Sequence, residues 1–117
     1  MNRKELVNEY KQTVQPMGIY QIRNTENGKL LVGSAPNLPG RINRHKFQLE
    51  YGSHPNKELQ RDFTASEGKS FVFEIVDYLE PKAEPGYDYT DDLKLLEQIW
   101  LEKLQPFTPA GYNERKS

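Results

Sequence analysis

The chain of 117 residues contains no cysteine, which excludes disulfide bonds and zinc sites built from thiolates. No run approaches the roughly 20 apolar residues of a membrane helix, and residues 1–5 are too polar to begin a signal peptide. We therefore expect a cytoplasmic protein with no membrane partner. A chain of this length is expected to form one domain that buries roughly two thirds of its unfolded surface, so it needs no covalent cross-link.

Several common arrangements of catalytic residues are also absent. Gly18, Gly28 and Gly33 lack the spacing and the Lys-Ser/Thr pair of a phosphate-binding loop. The sequence has no Gly-x-Ser-x-Gly nucleophile elbow, no Cys/His nucleophile arrangement and no paired carboxylates suited to acid–base catalysis. Among hydrolytic mechanisms, these absences favour metal-assisted attack.

The net charge of -1 hides an uneven distribution of charge along the chain. Residues 1–62 carry ten Lys/Arg against six Asp/Glu, whereas residues 63–117 carry six against eleven. A nucleic-acid partner requires a basic face that displaces counterions from the phosphates, and only the first half can supply one. The alternative is that these charges are ordinary solvated surface.

Three segments have the composition of β-strands. Residues 17–23 and 29–33 are rich in β-branched and aromatic side chains, and residues 70–79 alternate as a third strand would. Asn27-Gly28 lies between the first two and is a strong signal for a two-residue turn. The first two strands are therefore predicted to form a hairpin.

The predicted turn sets which side chains of the hairpin share a face. A two-residue loop would pair Ile22 with Gly33. Tyr20 and Leu31 would then point to the same side of the sheet.

Four segments are predicted to be helical. Residues 3–14 have apolar residues near one helical face, which predicts a short amphipathic helix. Asn37 is a suitable N-cap for a helix that Gly52 ends, and another helix is expected to start near Pro55. The last is expected over residues 90–104.

Glu97 is the carboxylate that most requires an explanation. On a helical wheel it falls among the apolar positions defined by Leu93, Trp100 and Leu104. A charge there must be paired, neutralised or coordinated. It could form a salt bridge with a nearby arginine, occupy a partly exposed edge position, or bind one divalent cation such as Mg²⁺, which needs only one or two carboxylates.

Four further side chains could act on a phosphodiester, although the same residue types and spacings also occur by chance or in ordinary structural positions. Arg41 and His45 lie four apart on one helical edge, where a guanidinium can hold phosphate oxygens and an imidazole can donate or shuttle a proton. His54 could instead be a solvated loop residue. Tyr20 could be a core aromatic residue, or it could orient or deprotonate an attacking water.

The strongest signal is the order of several motifs along one chain: Gly18-Ile19-Tyr20-Gln21-Ile22, Val32-Gly33-Ser34-Ala35, Arg41-x-x-x-His45, His54, Leu59-Gln60-Arg61, Glu97-x-x-Trp100 and Gly111-Tyr112-Asn113. Together they resemble the GIY-YIG endonuclease family, and in particular the catalytic domain of phage intron-encoded homing endonucleases. The resemblance assigns residues 17–113 to the nuclease domain, after a helical extension at 1–16 and before a short tail at 114–117.

The resemblance implies an α+β fold with a small central three-stranded antiparallel sheet flanked by helices. It also implies that the domain cuts DNA with one divalent cation, Mg²⁺ or Mn²⁺. By position, Glu97 would bind the metal, Arg41 would stabilise the scissile phosphate, and Tyr20 would activate or position the nucleophile. His45 would act in catalysis beside these three residues. The other polar residues expected to support the site or to bind DNA are His54, Ser34, Asn113, Arg44 and Lys46. Relatives usually take target specificity from a separate DNA-binding domain, so this chain alone would be weakly specific or directed by a partner.

One position departs from the family pattern. Leu31 stands where the second motif begins with tyrosine, and it can neither donate a hydrogen bond nor transfer a proton. Two functions are therefore expected: a metal-dependent DNA endonuclease, or a catalytically impaired domain that binds DNA or a protein through the same groove.

Overall fold

The computed structural model describes residues 15–115, which form a three-stranded sheet and three helices. The elements are, in chain order, β1 (Gly18–Asn24), β2 (Leu30–Ala35), α1 (Leu38–Glu50), α2 (Lys57–Ser66), β3 (Phe71–Tyr78) and α3 (Thr90–Leu104). The strands lie in the order β2-β1-β3, and both pairings are antiparallel. The predicted α+β fold is confirmed, whereas the helix predicted over residues 3–14 lies outside the described residues.

The turn of the β1–β2 hairpin is longer than predicted. Asn24 N donates to Lys29 O at 3.0 Å, and this bond encloses four loop residues instead of two. The Asn24 and Asn27 side chains accept from the backbone N–H groups two residues ahead, at 3.0 and 2.9 Å. These local bonds stabilise a wider loop than Asn27-Gly28 alone would form.

The longer loop changes the register of the hairpin. Ile22 pairs with Leu31 and Tyr20 with Gly33, so the predicted pairing of Ile22 with Gly33 was wrong. Tyr20 and Leu31 nevertheless lie on one face of the sheet, because directly paired residues point the same way.

Asparagine side chains begin both helices that follow β2. Asn37 Oδ1 accepts from Gly40 N at 3.1 Å at the start of α1, as the sequence predicts. Asn56 Oδ1 accepts from Leu59 N at 3.1 Å at the start of α2, one residue after Pro55. Each such cap stabilises a helix by about 1 kcal/mol, and together they set where α1 and α2 begin.

On the side of the sheet that Tyr20 faces, the hydrophobic core has two parts. The larger part consists of Ile22, Leu49, Leu59, Phe71 and Tyr112, with Leu31 packed at its margin. The smaller part holds the ring of Tyr20 between β2 and α1. Tyr20 is therefore a core aromatic residue whose polar end reaches the edge of the core. Between residues 15 and 115, no helix is long and apolar enough to cross a membrane.

Candidate active site

Gly33 allows the Tyr20 ring to lie directly against β2. A Cβ added at Gly33 would lie 2.5 Å from Tyr20 Oη and 2.7 Å from Cζ, closer than real Cβ contacts allow. Because Tyr20 and Gly33 are paired across the hairpin, no other strand residue can provide this space. The glycine thus sets the position of the phenol, which is 5% exposed.

A chain of hydrogen bonds runs from the phenol to the loop after α1. Tyr20 Oη lies 2.8 Å from His45 Nε2, and His45 Nδ1 lies 2.8 Å from His54 Nε2. The chain ends at Asn56, whose backbone N–H donates to His54 Nδ1 at 3.0 Å. We call Tyr20, His45 and His54 the imidazole chain.

The last contact determines the direction of every bond in the imidazole chain. Because His54 Nδ1 accepts from a backbone N–H, the proton of neutral His54 is on Nε2 and is donated to His45 Nδ1. Neutral His45 then carries its own proton on Nε2 and donates it to Tyr20 Oη. The Tyr20 hydroxyl hydrogen is consequently free to point away from the core.

Burial keeps both imidazoles neutral. It is the main cause that lowers the pKa of His45 to about 4, and repulsion from His54, Arg41 and Arg44 lowers it further. Burial also lowers the pKa of His54. At neutral pH both rings therefore have the single-proton form that the directed hydrogen bonds require.

The phenol of Tyr20 is subject to opposing influences. Burial raises its pKa above 10, the neighbouring Arg41 guanidinium lowers it, and the negative charge of Glu97 raises it. The net effect is an increase, so the hydroxyl is protonated at neutral pH. Arg41 lowers the pKa of Tyr20 by a hydrogen bond as well as by its charge, whereas Glu97 raises it by its charge alone.

His54 is buried, so the alternative of a solvated loop residue was wrong. It is 3% exposed, and its backbone N–H donates to Gln60 Oε1 at 3.0 Å. Gln60 Nε2 in turn donates to Leu49 O at 3.0 Å, which connects the loop to the end of α1. His54 therefore has a fixed position beside His45.

Arg41 lies at the mouth of the imidazole chain. Its Nη1 donates to the carbonyl oxygen of Ser34 at 3.4 Å, and no carboxylate forms an ion pair with it within residues 15–115. A hollow of about 240 Å³ opens here, lined by Tyr20, Arg41, Arg44, His45, Gln48 and Pro55. It brings a guanidinium without an ion-pair partner in the described residues, a phenol and an imidazole to one surface.

Glu97 lies on α3 and borders a different hollow from the one that Tyr20 and Arg41 line. The helix is anchored by buried Leu93 one turn before and by Trp100, whose indole N–H donates to Asp77 Oδ2 at 3.0 Å. Glu97 is half-buried, and in the described part of the chain its carboxylate has no hydrogen bond or ion pair. Glu97 therefore occupies a partly exposed edge position and does not form the salt bridge to Arg41 or Arg44 that was one of the alternatives.

The donor set around Glu97 fits a weakly coordinated hard cation and not a caged metal. Among residues 15–115 there is no group of three or more His, Cys, Asp or Glu side chains placed to hold a metal ion. A single unpaired carboxylate is nevertheless enough for Mg²⁺, which commonly retains several waters and takes further oxygens from substrate phosphates.

Asn113 holds the C-terminal segment to the sheet. Its Nδ2 donates to Val32 O and its Oδ1 accepts from Val32 N, both at 2.8 Å. Both ends of the amide are thus used on β2, and the side chain borders the same hollow of about 360 Å³ as Glu97. The geometry makes Asn113 a positioning residue at the edge of the site.

The remaining predicted residues are spread around the site. Arg44 lines the hollow with Arg41, whereas Lys46 lies on another side of α1 with its ammonium 5.1 Å from the Phe73 ring. Ser34 pairs with Ile19 and therefore directs its side chain to the opposite face from Tyr20; it joins the site through its carbonyl.

Sequence reasoning missed the residues that hold the imidazole chain in place. Asn56 contributes its backbone N–H to His54 and its side chain to Tyr112 O at 2.8 Å. The available signal was an asparagine directly after a proline at a predicted helix start. Gln48 also lines the hollow, and its position seven residues after Arg41 on α1 could have indicated this.

The fold and this cluster define a catalytic domain of the nuclease class, and comparisons with known proteins identify which one. The GIY-YIG catalytic domain model matches residues 16–113. The chain belongs to the GIY-YIG endonuclease family.

Two relatives show the extent of the similarity. Intron-associated endonuclease 1 of Enterobacteria phage T4 is 38% identical over 97 residues, covering 82% of this chain but 36% of that protein. The chain thus spans about a third of the length of this curated relative. The structure of the catalytic domain of homing endonuclease I-TevI matches with a TM-score of 0.67 at 35% identity, over 86% of this chain and 99% of the other. A substituted form of that domain gives 0.68 at 33% identity, over 85% and 93%.

Proposed function

We propose that this domain is a metal-dependent DNA endonuclease that hydrolyses phosphodiester bonds with little sequence specificity of its own. The observation that carries the proposal is the hydrogen-bonded imidazole chain, which leads to one phenol on the same hollow as Arg41. Glu97, which has no ion pair in the described residues, is near enough for its charge to raise the pKa of that phenol. A phosphodiester substrate has the charge that this guanidinium would bind, and hydrolysis needs a water held in line with the scissile bond.

Each residue has a role that follows from its contacts. Arg41 is held near the phenol by Ser34 O and stabilises the negative charge that develops on the phosphate. Tyr20 Oη accepts from His45 Nε2, so its own hydrogen is directed to the attacking water or to a phosphate oxygen. His45 and His54 act by orienting this hydroxyl as a donor, because Tyr20 is protonated at neutral pH.

Glu97 would hold the divalent cation, Mg²⁺ or Mn²⁺. When bound, the cation supplies charge neutralisation at the phosphate and Lewis acidity toward its oxygens. The positions of Glu97 and Asn113 on one hollow would place the metal beside the edge of β2.

The test is the nicking of supercoiled plasmid DNA during titration with Mg²⁺ or Mn²⁺. Wild type is expected to cut, and Glu97→Ala to lose cutting at every metal concentration. Glu102→Ala, an exposed carboxylate of the same helix, is the matched control and should retain activity. Equal behaviour of wild type and Glu97→Ala would remove the proposal.

The alternative function is a catalytically impaired domain that binds DNA or a protein partner. The observation that favours it is Leu31, which packs at the margin of the larger core where the family pattern has a phenol. Loss of one transition-state donor lowers rates about 100- to 1,000-fold. Leu31→Tyr should raise the rate if the second phenol is needed, whereas robust cutting by wild type would exclude impairment.

The selection of the DNA site that is cut is expected to depend on a domain or protein other than this one. The described residues contain no further folded unit beyond the sheet and its helices. A separate targeting domain or protein would therefore select the site, and cleavage of unrelated plasmids at similar rates is the expected behaviour of the domain alone.

A further inference from the structure

Two aromatic side chains at the end of α1 are exposed side by side. Phe47 is 59% exposed and Tyr51 is 72% exposed. Their ring centroids lie 4.5 Å apart with the planes inclined at 32°. Burying such side chains normally stabilises a fold by about 1.5–3 kcal/mol each, and this chain forgoes that gain at both positions.

The aromatic pair continues the rim of the catalytic hollow. Arg41, Arg44 and Gln48 line the hollow from α1. At roughly 100° per residue, Phe47 and Tyr51 lie within about 60° of Arg44 around the helix, on the same outward side. The rise from Arg44 to Tyr51 is about 10 Å, close to the length of three stacked nucleotides of one strand.

The charge along this side of α1 suits a nucleic-acid strand. Arg41 and Arg44 have no ion-pair partner in residues 15–115. The only acidic residue within α1 is Glu50, and it borders a different hollow, together with Lys46. A strand whose phosphates contact the two arginines would therefore meet the aromatic rings without meeting a carboxylate of this helix.

We propose that Phe47 and Tyr51 form a stacking platform for unpaired bases of the DNA strand that enters the catalytic hollow. This inference rests on the proposed nuclease function and specifies its substrate. Every base has an aromatic face, so stacking on protein rings is tolerant of sequence. The domain should consequently favour DNA with an unpaired segment next to the cut, such as a bubble or a flap, over intact duplex.

Binding of fluorescent oligonucleotides without divalent cation tests the platform. Single-stranded, bubble-containing and duplex probes of equal length are compared by anisotropy. Stacking of one base on a protein ring affects affinity by roughly 5- to 150-fold. The double variant Phe47→Ala/Tyr51→Ala should therefore lose about tenfold or more on the first two probes and less than about twofold on duplex.

Two further variants separate stacking from other effects. Phe47→Leu/Tyr51→Leu keeps apolar side chains but removes the rings, so it should lose affinity in the same way. Tyr78→Ala removes an aromatic residue with 58% exposure at the end of β3 and should bind like wild type. Since these side chains are exposed, we expect the variants to be folded, with thermal unfolding transitions close to that of wild type.

The outcomes distinguish this proposal from the nuclease function. The platform is overturned if either double variant binds the unpaired probes as tightly as wild type does. It is also overturned if the double variants lose affinity equally for all three probes. If wild type then still nicks plasmid, the nuclease function stands without the platform. If the double variants lose the preference for unpaired DNA but the wild-type protein never cuts, the platform stands and the nuclease function fails.

Discussion

Replacing Gly33 by alanine tests whether the position of the Tyr20 phenol limits the reaction. The added Cβ would lie 2.5 Å from Tyr20 Oη, whereas ordinary contacts begin at 3.4 Å. The ring must therefore withdraw by roughly 1 Å, and the 2.8 Å bond from His45 Nε2 cannot keep its geometry. A displacement of this size at a reacting centre can lower the rate about 100-fold.

The assay is the initial rate of plasmid nicking at saturating divalent cation, together with thermal unfolding. Overpacking costs about 1–3 kcal/mol, so the rate is measured well below the unfolding transition. Tyr20→Phe and the double variant Gly33→Ala/Tyr20→Phe complete a double-mutant cycle. Because both changes act through one hydroxyl, their effects should not multiply. Full activity of Gly33→Ala, or independent losses in the double variant, would refute the reasoning.

Two further predictions concern stability. Since the pKa of His45 is about 4 when folded and 6.5 when unperturbed, the unfolded chain takes up its proton first as pH falls. The free energy of unfolding should therefore decrease between pH 6.5 and pH 4, as followed by urea titration, and His45→Gln should reduce this dependence. Asn113→Ala removes two 2.8 Å bonds to Val32 and should lower the unfolding free energy by about 2 kcal/mol. An unchanged urea midpoint would show that the amide does not hold this segment.

The fold was largely predictable because its signals are local. β-Branched and aromatic content indicated the first two strands, alternation indicated the third, and Asn37 marked the start of α1. The hairpin register was not predictable from Asn27-Gly28 alone, because the Asn24 side chain also bonds the backbone and widens the loop. That side chain is itself held from a distance, by Asn24 Nδ2 donating to Tyr112 Oη at 3.0 Å.

The site was predictable where its residues share one element and not where they meet across the fold. Spacing on one helix placed Arg41 and His45 on a common edge, and the structure has them both on the hollow. The hydrogen bond between His54 and His45, whose ring centroids are 5.0 Å apart, depends on a loop held by Asn56 and Gln60. No periodicity in the sequence reports such a loop.

The direction of the imidazole chain limits what its histidines can do. A neutral His54 whose Nδ1 accepts from the Asn56 N–H must donate through Nε2, and His45 must then donate to Tyr20. His45 cannot take the phenol proton while this arrangement holds, because its accepting nitrogen is already occupied. The two rings therefore orient Tyr20 as a donor toward the hollow. Since Leu31 on the same face has no hydroxyl, the proposed nuclease function assigns the donor on this face of the hairpin to Tyr20.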